Sequence, residues 1–97
     1  MELKQAFGEA IRRMRERKEL PQEGVGASQS YISSIERGLK SPSLEKIEKI
    51  ATVMGVHPMS ILATGFLLKE PGLSLDDLLN KIRRETIANL THNSSEE

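Results

Sequence analysis

The sequence predicts an all-α fold, and three observations predict it. Apolar residues recur at three-and-four spacing, the mark of one helix face, in segment after segment of the 97-residue chain. Gly, Pro and Ser punctuate those segments where helices start and stop. Hydrophobic residues make up 37% of the chain with only three aromatics, so the core is built from Leu, Ile, Val and Met. That is enough for one small domain and a protruding element.

The first helix is expected from Glu2 to about Glu19, with Leu3, Phe7, Ala10, Ile11 and Met14 on one face. Arg12, Arg13, Arg15, Arg17 and Lys18 crowd its second half. Cations there suit the negative end of a helix; contact with an external anion is the functional alternative. Leu20 to Ala27 holds a single helical turn after Pro21, a residue suited to a first turn, because Gly24 and Gly26 oppose anything longer.

Ala27 to Gly38 reads ASQSYISSIERG. Tyr31, Ile32, Ile35 and Leu39 form an apolar face, while Ser30, Ser33, Ser34 and Arg37 form a polar one. Ser28 is the N-cap and Gly38 the left-handed stop. A loop follows from Leu39 to Ser43, with Ser41 extended by the proline after it. Ser43 to Met54 turns Leu44, Ile47, Ile50, Ala51 and Met54 inward, and Gly55 ends it. His57 and Pro58 open the next helix, which carries Met59, Ile61, Leu62 and Phe66. His57 has no second ligand nearby, so capping or exposure is favoured over metal binding. Pro71-Gly72 breaks the chain. Ser74 then caps a sixth helix to about Leu90 carrying Leu75, Leu78, Leu79, Ile82, Ile87 and Leu90, and Thr91 to Glu97 is expected to fray.

SQSYISSIERG followed by LKSPSLEKIEKIATVMGV resembles the helix-turn-helix of the lambda-repressor/Cro (Xre-type) family. The resemblance runs roughly from Phe7 to Leu62, and Tyr31-Ile32-Ser33, Ile35-Glu36-Arg37-Gly38 and Pro42-Ser43-Leu44 are its most specific parts. It implies a five-helix domain over residues 1–68, with residues 69–97 as an extension holding the sixth helix, 74–90. It makes the helix after Ser28 the recognition helix, Ser30 and Ser34 base-contacting positions, and Arg15 the ion-pair partner of Glu36. The pattern breaks at Leu20 to Ala27. Gln22, Val25 and Gly26 look like the start of the supporting helix, yet Ser28-Gln29 arrives about four residues early, so roughly one helical turn, or most of the usual connecting turn, is missing. Val25 and Ala27 are expected to plug the gap.

A recognition helix implies double-stranded DNA as partner. Gln29 is the first candidate for a base contact, because its amide pairs bidentately with adenine. Gln22, Ser28, Arg37, Lys40 and Ser43 are the phosphate candidates, Ser43 because a helix N-terminus attracts anions. The net charge is zero, but residues 1–40 carry eight Lys/Arg against six Asp/Glu, and the remainder six against eight. That sign suits a DNA-facing first half.

The leading expectation is a sequence-specific transcriptional repressor acting as a homodimer through Leu75, Leu78, Leu79 and Ile82. The rival for the sixth helix is that it folds back onto its own domain in a monomer. The alternative function is a protein-binding module, such as the antitoxin of a toxin–antitoxin pair. With no cysteine, two separated histidines and no Gly-rich phosphate loop after a strand, neither an enzyme, a metal, a cofactor nor a small-molecule substrate is expected. The chain has no apolar run near 18 residues and no charged-then-apolar leader, so a cytoplasmic, nucleoid-associated, non-membrane protein is expected. The glycosylation-like triplets at Asn89 and Asn93 are read as chance.

Overall fold

The computed structural model describes residues 1–96, the last five of them by backbone only. Five α-helices follow one another: α1 (Leu3–Arg17), α2 (Gln29–Glu36), α3 (Leu44–Met54), α4 (Pro58–Lys69) and α5 (Leu75–Glu96). The supporting helix is reduced to a 3₁₀ turn at Gln22–Gly24. The fold is therefore the lambda-repressor-like arrangement with one of its five helices shortened to three residues, followed by the sixth element, α5.

Local chemistry sets each boundary. Ser28 Oγ accepts from the Tyr31 amide at 3.1 Å, Ser43 Oγ from Lys46 at 3.1 Å, and Ser74 Oγ from Asp77 at 3.0 Å. His57 caps α4, its Nδ1 accepting from the Met59 amide at 3.0 Å. Helix α2 closes on Gly38 at φ +75°, where Leu39 N–H donates to Ser34 O and Gly38 N–H to Ile35 O. Such a six-to-one and five-to-two closure needs a left-handed residue. Helix α1 closes in the same way on Glu19, at φ 57°, so it ends at Arg17 rather than running to Glu19.

Helix α5 also departs from expectation. It continues past Leu90 to Glu96, where a frayed tail was expected; no Gly or Pro interrupts it, and Thr91 Oγ1 donates to Ile87 O at 2.8 Å. Glu97 lies outside the described residues.

Nine buried residues form one contiguous core cluster, six of them isoleucines: Ile11, Ile32, Ile35, Ile47, Ile50 and Ile61, with Val25, Ala51 and Met54. Val25 is fully buried and Ala27 packs beside it, so the short connection still fills the space beneath α2. Gly26, at φ +85°, passes α3 so closely that a Cβ would lie 2.9 Å from Val53 Cγ2. Helix α1 is the spine. Its Phe7 ring lies on Gly65 of α4 and meets Phe66 edge-on, centroids 5.3 Å apart. The next residue, Gly8, faces the C-terminal end of α2, where a Cβ would collide with the Ile35 carbonyl.

That last contact is backbone against backbone and cannot relax by a rotamer change. Gly8→Ala is expected to destabilise by about 1–3 kcal/mol in urea denaturation, as overpacking does. Gly72→Ala, with nothing within 4 Å, is expected to change stability by less than about 0.5 kcal/mol. Equal effects from the two would show that α1 and α2 are not seated through Gly8.

Candidate nucleic-acid interface

Helix α2 is only eight residues long, so its own hydrogen bonds cannot fix its direction; its neighbours do. Ile32 and Ile35 are buried on the inner side, and Tyr31 packs partly against the same core. Outward, Gln29, Ser30, Ser33, Ser34 and Arg37 line a shallow polar concavity. The sequence placed Gln29, Ser30 and Ser34 as base-contacting candidates; Gln29 and Ser30 are exposed and Ser34 is half-buried in that surface.

An ion-pair hub sits on one flank. Arg15 Nε donates to Glu36 Oε2 at 2.7 Å and Arg15 Nη2 to Glu36 Oε1 at 3.0 Å, a bidentate pair. Arg15 Nη1 reaches the Leu20 carbonyl at 2.9 Å, and Gln22 Nε2 donates to Glu36 Oε1 at 3.1 Å. The hub joins α1, the chain reversal after it, the 3₁₀ turn and α2. Its side chains are largely withdrawn from solvent, Arg15 at 12% exposure and Glu36 at 5%. The hydrogen bonds to Glu36 hold the Arg15 guanidinium above its ordinary pKa.

Gln22 thus has a structural occupation in addition to its candidate role. One amide hydrogen is taken by Glu36, leaving the other and the carbonyl oxygen for an outside partner. Ser28 and Ser43 each accept a capping bond and keep their hydroxyl protons free to donate. Arg37 is exposed, held loosely by a 3.4 Å bond from Nε to Ser33 O.

Arg12 and Arg13 of α1 are committed elsewhere. Arg12 Nη2 and Arg13 Nε bind Glu9 at 2.7 and 2.8 Å, and the Arg12 bond in particular keeps the Glu9 carboxyl below its ordinary pKa. On the other flank of α2, Lys40 Nζ stands 5.4 Å from the Tyr31 ring centroid and Lys46 Nζ 5.2 Å from it. Sequence reasoning missed Tyr31 and Lys46. Tyr31 read as apolar bulk, and Lys40 of the Leu39–Ser43 loop and Lys46 of α3 reach its ring only in the folded chain.

The four dimer candidates do not act alike. Leu78 and Ile82 are half-buried in an apolar groove with Met59, Leu62 and Phe66 of their own α4. Leu75 and Leu79 stay 51% and 43% exposed, and Ile87 and Leu90 further along α5 are exposed as well. Among the described residues no single helix is long and apolar enough to cross a membrane.

Comparison with known proteins agrees with this geometry. A family model described as "Helix-turn-helix" matches residues 11–60. The chain is 38% identical over 61 residues to "Control protein C.BamHI" of Bacillus amyloliquefaciens, covering 58% of this chain and 75% of that one. It is 33% identical over 66 residues to "Uncharacterized HTH-type transcriptional regulator y4dJ" of Sinorhizobium fredii, covering 64% and 86%. No solved structure gives a significant match.

The hub predicts strong energetic coupling. Removing one member strands a withdrawn charge, so Arg15→Ala or Glu36→Ala alone is expected to cost more stability than the double variant. A double-mutant cycle by thermal or urea denaturation should give a coupling of about 0.5–3 kcal/mol. Additive losses would mean that the pair does not position α2.

Proposed function

The chain belongs to the lambda-repressor/Cro (Xre-type) helix-turn-helix family of transcriptional regulators, and on that premise we propose that it is a sequence-specific repressor reading the DNA major groove as a homodimer. The observation that carries the reading is the outward polar face of α2, backed by the fully buried Ile32 and Ile35. Backbone phosphates supply most of the affinity and fix the register, while the α2 side chains reach base edges. Gln29 reads adenine through its amide. Ser30 and Ser34 allow close approach with modest discrimination. Ser28, Arg37, Lys40, Ser43 and the free half of the Gln22 amide meet phosphates.

Blocking transcription is the simplest outcome of occupying a promoter with so small a unit, and the similarity to a control protein supports a regulatory role. Two recognition helices must lie about 34 Å apart, or a multiple of that, to read two half-sites. The exposed side of α5 supplies the contact: Leu75 and Leu79, with Ile87 and Leu90 beyond them. Leu78 and Ile82 support it from beneath by holding α5 to α4. A domain over residues 1–68 and an extension from 69 onward is the corresponding division of labour.

The primary test is selection of bound sequences from random duplex DNA. Enrichment of a two-fold symmetric site is expected, and no enrichment overturns the reading. On the selected site, Gln29→Ala should lose about 1–3 kcal/mol and relax one base position. Unchanged affinity and preference would remove Gln29 as a reader. Replacing Leu75 and Leu79 together with Lys should leave a folded chain that sediments as a monomer and binds the site much more weakly. A dimer that survives the double substitution would move the interface off this face.

A further inference from the structure

Four cations among the described residues are answered by a carboxylate. Arg12 and Arg13 bind Glu9, Arg15 binds Glu36, and Lys81 binds Glu85 at 2.9 Å. Lys40 and Lys46 belong to none of the ion pairs among the described residues. Instead both ammonium groups gather at one aromatic ring, 5.4 and 5.2 Å from the Tyr31 centroid. Two cations brought to one ring repel each other, and the ring's weak attraction does not neutralise them. An anion held by both would.

The location of this cluster matters as much as its charge. Helix geometry of about 3.6 residues per turn puts Tyr31 beside the Ser34 edge of the polar face, and Glu36 beside the Gln29 edge. On the Glu36 side the hub consumes Arg15 and half of the Gln22 amide. On the Tyr31 side the cations are available. A helix lying in the major groove, about 12 Å wide, has one sugar–phosphate strand on each flank. Tyr31 is fixed by packing against the core, so its ring is a stationary platform for two flexible side chains.

We propose that Lys40 and Lys46, positioned by the Tyr31 ring, form a clamp for a DNA backbone phosphate on the Ser34 side of α2. This assigns phosphate binding to Lys46 and a positioning role to Tyr31, and gives Lys40 a partner in its candidate role. It rests on the DNA-reading function proposed above. The clamp carries charge on the one flank of α2 that the shortened supporting segment does not border.

The test is a salt titration of binding by the full chain, using fluorescence anisotropy with the duplex selected from the random pool and with a scrambled duplex. Lys40→Ala and Lys46→Ala should each weaken binding to both duplexes and reduce the slope of log K against log salt by about one unit. Lys81→Ala should keep the parent slope. Tyr31→Phe retains the ring and should bind like the parent, while Tyr31→Leu should bind both duplexes about two- to five-fold more weakly with base preference unchanged. Thermal melts check that each variant is folded, and the lysine variants decide the matter even if Tyr31→Leu does not fold. A parent that binds its duplex alongside a Lys46→Ala variant with an unchanged slope overturns the clamp alone. A parent that enriches no duplex overturns the DNA reading and the clamp with it.

Discussion

The placement of α2 depends on one carboxylate. Glu36 receives three hydrogen bonds, two from Arg15 and one from Gln22, and Arg15 continues to the Leu20 carbonyl. In a helix-turn-helix with a full supporting helix, side-chain packing between two helices would aim the reader. Here three residues of 3₁₀ turn stand in that place, and a turn so short offers little surface to pack. Directional bonds within a withdrawn ion pair add to the seat of α2 on α1 the aim that so short a turn cannot give. Withdrawal from water makes the arrangement strict: each partner is costly alone, so the hub forms as a unit.

Around that hub the structure tolerates closeness rather than bulk. Gly8 admits the end of α2, Gly65 admits the Phe7 ring, and Gly26 admits α3. Together these contacts bring α1, α2, α3 and α4 near enough for a core of medium-sized aliphatic side chains to close without large aromatics. The isoleucines dominate because their branched shape fills short inter-helix gaps with little rotamer freedom to lose.

Much of this was legible in the residues. Capping by Ser28, Ser43 and Ser74 follows from hydroxyls standing just before apolar periods, and the stops at Gly38 and Gly55 from residues that accept positive φ. Glu19 gave no such signal, because a left-handed glutamate is set by the bonds around it and not by its own preference. The run of α5 to Glu96 was not legible, since polarity alone does not stop a helix that is already sixteen residues long at Leu90. In the interface, the polar stripe of α2 could be read from spacing, whereas the meeting of Tyr31 with Lys40 and Lys46 depends on how a loop folds back. The divided use of α5 was hidden for a similar reason. Leu78 and Leu79 are alike in composition, and only their position against α4 separates the covered one from the exposed one.

The seat of Phe7 on Gly65 also bears on how the chain comes to be made. Its two halves lie near opposite ends of the helix-turn-helix unit, so closing it waits on nearly the whole unit and carries the larger loop-closure cost. Arg15 and Glu36, by contrast, are neighbours along the chain on that scale. During synthesis α2 can therefore be tethered to α1 as soon as it leaves the ribosome, while the α4-facing side of α1 stays uncovered until α4 has emerged. A nascent chain arrested between the two would display the polar face of α2 on a scaffold that is still open.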